Sequence, residues 1–66
     1  MDVTANGKPF TLADGATVAD LLVAMDLAAR VVAVEHNGDA VARSEHPHRV
    51  LRDGDRVEVV RAVAGG

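Results

Sequence analysis

The sequence predicts an α+β domain, with a mixed sheet of about five strands, one helix laid across one face and an extended C-terminal tail. Three observations carry that expectation. Two Asn-Gly pairs, Asn6-Gly7 and Asn37-Gly38, each stand between short strand-like runs, which is the signature of a two-residue hairpin. Between the hairpins lies one stretch with helical periodicity, Val18, Leu21, Leu22 and Met25, at i, i+3, i+4 and i+7. After the second hairpin the chain closes on a β-branched run, Val57-Glu58-Val59-Val60-Arg61-Ala62-Val63, that passes through Ala64 into Gly65-Gly66.

The elements follow in order. Met1 to Asn6 alternates apolar and polar residues, so Met1, Val3 and Ala5 can face a core while Asp2, Thr4 and Asn6 face away. Lys8 to Leu12 is the return strand, with Phe10 and Leu12 on one face. Pro9 has no N–H to give a ladder, which places this strand at an edge. Asp14-Gly15 turns the chain, and Thr17 serves as the N-cap of the helix, with Asp20 three residues on, where a carboxylate meets unpaired amides and the positive end of the helix dipole. No glycine marks the other end, which falls between Met25 and Ala29. Val31 to His36 is a third strand, Asp39 to Ala42 a short fourth, and Arg43 to Arg49 a loop centred on Pro47. Val50-Leu51 is expected to tuck onto the core before Asp53-Gly54-Asp55 turns into the last strand. Strand, strand, helix, strand, strand, strand is the order of a β-grasp fold, in which the first and last strands lie side by side and parallel and the crossover sets the helix on one face. The tail then projects from the body.

Composition limits what such a chain can do. Sixty-six residues make a single domain, residues 1–66 with a flexible tail at 64–66, too small for a deep substrate cleft. The apolar share of 48% is carried by Val and Ala, with Phe10 the sole aromatic, so the core is built of small pieces. No cysteine is present, which excludes disulfides, thiolate metal sites and a cysteine nucleophile and suits a reducing cytoplasm. No stretch is long and apolar enough to span a membrane, and Asp2 stands where a signal peptide would be basic, so the expected location is cytoplasmic.

A net charge of −3 without an aromatic platform argues against nucleic acid as a partner. The charge is uneven: residues 1–29 set one lysine against four aspartates, net −3, while residues 30–66 set six arginines against six acids, net zero. His46-Pro47-His48 with His36 is the one grouping that suggests metal ligands, but without cysteine it falls short of a structural zinc set, and surface loop histidines describe the pair better. Asp53-Gly54-Asp55 lacks the rest of a calcium loop. No catalytic triad, phosphate-binding glycine loop or dinucleotide fingerprint occurs, so nothing reads as an enzyme active site, a bound cofactor or a metal centre.

What remains is the end of the chain. Glycines give a backbone without a Cβ, able to enter a narrow tunnel, so the carboxylate of Gly66 is the candidate reactive group and Ala64 and Gly65 the segment that threads into a partner. If Val57 and Val59 face the helix, Val60 and Ala62 face outward beside the tail, and Val60, Arg61, Ala62 and Val63 form a candidate partner surface.

These residues carry a resemblance. The whole chain resembles the ThiS family, the ubiquitin-like sulfur carriers of thiamine biosynthesis, in length, in element order and most specifically from Asp53 through Arg56-Val57-Glu58-Val59-Val60 to Gly65-Gly66. Val34-Glu35-His36-Asn37-Gly38 and Val41-Ala42-Arg43 resemble that family's middle segment. The sequence departs where the family commonly has a proline before the arginine, here Ala42, and an aromatic in the next loop, here near His46-Pro47. The resemblance implies a protein co-substrate and not a catalyst. An adenylating, ThiF-like enzyme would use ATP to activate the carboxylate of Gly66, and a sulfur donor such as a cysteine desulfurase would supply the sulfur of a thiocarboxylate. A ThiG-like thiazole synthase would accept it. The same fold and Gly-Gly ending also serve molybdopterin synthesis and tRNA thiolation, and a β-grasp interaction module that transfers nothing is a further possibility.

Overall fold

A computed structural model describes residues 1–61. Its strands are β1 (Asp2–Ala5), β2 (Lys8–Thr11), β3 (Val32–His36), β4 (Asp39–Val41) and β5 (Arg56–Arg61), with one helix, α1 (Val18–Ala24), and a 3₁₀ turn at Arg43–Glu45. They form one five-stranded sheet in the order β2-β1-β5-β3-β4. The parallel pairing of β1 with β5, in register at Thr4↔Arg56 and Ala5↔Val57, puts the last strand in the middle of the sheet. The other pairings are antiparallel. As its proline requires, β2 is an edge strand. This is the mixed, helix-covered sheet of a ubiquitin-like β-grasp domain.

Both hairpins turn at their Asn-Gly pairs. Asn6 and Gly7 have φ of 53° and 80°, and Asn37 and Gly38 have 50° and 89°, the left-handed pair a tight hairpin demands and that these residue types tolerate. The core lies between α1 and one face of the sheet, where six valines (Val3, Val18, Val34, Val41, Val57, Val59) pack with Ala5, Leu21, Leu22 and Leu51. Phe10, the sole aromatic, is half-buried at the margin.

The start of α1 is fully satisfied. Thr17 and Asp20 form a capping box: the Asp20 N–H donates to Thr17 Oγ1 at 3.3 Å and the Thr17 N–H donates to Asp20 Oδ2 at 2.9 Å. The loop between β4 and β5 supplies the remaining acceptors, with the Val18 N–H bonded to the Arg49 carbonyl and the Ala19 N–H to that of His46.

Four details differ from the sequence reading. The helix ends at Ala24, before the expected window, because Asp26 takes the left-handed role usually given to glycine, at φ 60°. The Leu27 N–H then reaches the Leu22 carbonyl and the Asp26 N–H that of Val23, a Schellman closure. Val31 lies outside β3 and is exposed. Of Val50-Leu51 only Leu51 enters the core, while Val50 stays exposed as a single bridge to Thr17. His46 is not a surface histidine: at 7% exposure it is buried, because its loop folds over the start of α1.

Candidate functional site

The site is built on β5, the strand from which the last residues issue. Its burial alternates strictly at first. Val57 and Val59 are buried against α1, whereas Arg56, Glu58 and Val60 stand on the uncovered face. Val60 is 64% exposed, a large apolar side chain in water directly opposite Ala33 of β3. Beside them Glu35 and Glu58 face each other across the same strand pair, a like-charge juxtaposition that costs a few tenths of a kcal/mol rather than stabilising the sheet. Arg61 closes the strand and is also exposed. Of the predicted partner surface, Val60 lies open as its parity requires, and Arg61 is exposed although it shares the parity of Val57 and Val59. Ala62, Val63, Ala64, Gly65 and Gly66 lie outside the described residues.

The beginning of β5 is fixed by a polar cluster that the sequence reading missed. Asp55 accepts from the Arg52 N–H at 2.8 Å, from Asn37 Nδ2 at 3.0 Å and from His36 Nε2 at 2.6 Å. The Arg49 guanidinium donates through Nε to His36 Nδ1 at 3.0 Å. Since a guanidinium can only donate, His36 Nδ1 is the acceptor and Nε2 carries the proton given to Asp55. Burial pushes the Asp55 carboxyl up, but hydrogen bonds from Asn37, His36 and the Arg52 N–H outweigh it and leave the group below the ordinary carboxylate range. The cluster ties the β3–β4 turn to the turn that starts β5. Among the described residues no three His, Cys, Asp or Glu side chains group to hold a metal ion, and the His36 ring is fully used within this cluster.

A second missed contact lies on the other flank of β5. The Asn6 side chain gives its amide N–H to the Val59 carbonyl at 2.9 Å and accepts the Val59 N–H at 2.7 Å. The only signal for either contact was the Asn-Gly pair itself, which predicts a turn and says nothing of where the amide points.

Among the described residues of this site no catalytic side chains converge in a cleft. What these residues present is the open face of β5, with Val60 exposed on the central strand of the sheet. A β-grasp domain arranged in this way defines the class of ubiquitin-like carriers.

Comparison with known proteins narrows the class. The ThiS family model matches residues 3–66. The sulfur carrier protein ThiS of Thermus thermophilus is 44% identical over 64 residues, covering 97% of this chain and 98% of its own. A thiazole synthase of Paramagnetospirillum magneticum is 33% identical over all 66 residues, and the match spans 20% of that longer protein. The crystal structure of the thiamine biosynthesis protein ThiS from Geobacter metallireducens superposes with a TM-score of 0.81 at 39% identity, covering 100% of both chains. The chain belongs to the ThiS family.

Proposed function

We propose that this chain acts as a protein co-substrate whose carboxylate at Gly66 is the reacting group. Family membership makes it a sulfur carrier for thiamine biosynthesis. A carboxylate is ionised at neutral pH and is a poor acyl donor, so it must be activated before sulfur can enter. An adenylating, ThiF-like enzyme does this with ATP: the carboxylate oxygen attacks the α-phosphorus, pyrophosphate leaves and an acyl-adenylate forms. The outer sulfur of a persulfide on a sulfur donor such as a cysteine desulfurase then attacks the acyl carbon, AMP leaves and an acyl disulfide forms. A thiol reductant cleaves its S–S bond, is itself oxidised to a disulfide with the donor, and leaves the thiocarboxylate. ATP belongs to the partner, and this chain holds no cofactor of its own.

Ala64 and Gly65 are the segment that enters the partner, and Val60, Arg61, Ala62 and Val63 are the docking surface. The observation that supports this assignment is the family match extending from residue 3 to Gly66, on a chain whose strand β5 is the central strand of its sheet. Burying Val60 and Ala33 against an apolar partner surface removes exposed apolar area from water and gives docking its driving force.

A ThiG-like thiazole synthase is the acceptor in this reading. Support comes from the Paramagnetospirillum magneticum thiazole synthase, which contains within a fifth of its length a match to this entire chain. One polypeptide there carries both parts, which replaces a bimolecular encounter with a tethered one. In this reading the carrier meets its partners in the cytoplasm, as expected of a chain without cysteine.

The test is intact mass of the protein taken from cells growing without thiamine, followed by transfer to purified acceptors. The expected species is heavier than the encoded chain by the difference between one sulfur and one oxygen, and thiazole synthase discharges it. Discharge only by molybdopterin synthase or a tRNA-thiolating enzyme would assign the carrier to another pathway. A chain that never gains that mass would leave a non-transferring interaction module.

A further inference from the structure

The two hairpin asparagines grip β5 from opposite sides, one at its first residue and one in its middle. Asn37 holds its first residue, with the Arg56 N–H donating to Asn37 Oδ1 at 2.8 Å and the Asn37 N–H donating to the Arg56 carbonyl at 2.8 Å. Asn6 holds Val59 by a matched donor and acceptor pair, 2.9 and 2.7 Å. Around Asn37 the strand has a neighbouring strand on both flanks, β1 at Arg56 and Val57 and β3 from Val57 onward. Around Asn6 it is not. The β1 ladder stops at Ala5↔Val57, whereas the β3 ladder continues to Val32↔Arg61.

From Val59 onward, therefore, β5 has a full strand on one flank and one side-chain amide on the other. An amide that both donates and accepts reproduces the hydrogen bonding of one more peptide unit of β1, at the point where β1 has left for its turn. A strand held on one edge alone is freer to twist about that ladder, and β5 closes two residues further along, at Arg61.

We propose that Asn6 is a positioning residue for the reaction at Gly66: its side-chain amide substitutes for the missing length of β1 and fixes the direction in which β5 delivers the tail. The inference rests on the sulfur-carrier reading. It separates two duties of β5, because the open face at Val60 governs docking whereas the pair at Val59 governs where the tail points once docked. A reacting group displaced by an ångström loses about a hundred-fold in rate when geometry controls the step, so loosening β5 lowers turnover at saturation and leaves affinity alone. The amide of Asn6 and the glycine beside it are also separable. Glycine accepts the φ of 53° at residue 6, so Asn6→Gly keeps the turn and deletes only the two bonds to Val59.

The experiment varies the carrier as substrate of the pathway's adenylating enzyme with ATP, follows pyrophosphate release, and compares wild type, Asn6→Gly and Asn37→Gly. Expected for Asn6→Gly is a fall in kcat of about ten-fold or more with KM unchanged, while Asn37→Gly loses stability but keeps kcat. Equal kcat for Asn6→Gly and wild type overturns the proposal, as does a rise in KM alone or an equal loss of kcat in both variants. Should Asn6→Gly fail to fold, amide hydrogen exchange on the wild-type chain decides: Val59 N–H must be protected to the level of Val57, and free exchange at Val59 overturns the assignment. A wild-type chain that no adenylating enzyme activates would instead sink the carrier reading, and the exchange result would still stand or fall by itself.

Discussion

The two faces of the sheet meet in a single strand and teach opposite lessons. On β5, Val57 and Val59 are sealed beneath α1, while Arg56, Glu58 and Val60, one residue away in each case, lie in water. The covered face is mainly apolar, with His36 at its margin, which is where a small domain finds its stability. The open face is mixed, carries an exposed valine and sets Glu35 against Glu58, a choice that lowers stability and that packing alone would not make. Changes on the covered face should therefore unfold the protein, and changes on the open face should spare the fold and alter what binds it.

The largest expected effect lies under the helix. Leu21 is fully buried, and Leu21→Ala should cost about 2–5 kcal/mol, a large share of the stability of a domain this size. Urea denaturation checks it, and a loss under about 0.5 kcal/mol would remove the helix stripe from the core.

An intermediate effect is expected between the faces, at Asp55. Asp55→Asn puts an N–H where three donors converge and should cost about 1–3 kcal/mol at pH 7. The sign of its pH dependence follows from the depressed carboxyl. A folded-state value below the unfolded one gives stability that is complete above the unfolded value, about 3.9 for Asp, and is lost as pH falls through the folded value. The gap between wild type and Asp55→Asn should accordingly be full at pH 7 and shrink below about pH 3.9. A gap that stays constant down to pH 2 would mean that the carboxylate is not what the cluster stabilises.

The smallest effect on folding is expected on the open face. Val60→Asp should shift stability by no more than about 0.5 kcal/mol. Affinity for the adenylating partner should nonetheless fall about ten-fold, because a charge is pressed against an apolar surface. Calorimetric titration reads this directly, and unchanged affinity would take the Val60 face out of the interface.

Much of this was legible in the sequence because it depends on local rules. Asn-Gly pairs, the Thr17 cap, Pro9 at an edge and the alternation along β5 each follow from neighbours within a few residues. What stayed hidden depends on distant chain. The reach of the Asn6 amide to Val59 spans 53 residues of sequence and exists only because β1 and β5 lie parallel. His46 sits among Ser44, Glu45 and Pro47, a composition that reads as surface, yet its loop is drawn over the start of α1 by backbone bonds to Val18 and Ala19. Asp26 ended the helix without glycine because aspartate also tolerates the left-handed region. The proposed reactive group at Gly66 was named from the Gly65-Gly66 pair and the family resemblance, and it lies outside the described residues.

That reactive group is also where the account is most exposed. The measurement is intact mass of the full chain and of the chain lacking Gly66, each incubated with the adenylating enzyme, ATP and a sulfur donor. The account predicts that the full chain gains the mass of one sulfur less one oxygen, and that the shortened chain, with an unchanged folded domain, gains nothing. A shortened chain that acquires the same mass would contradict it.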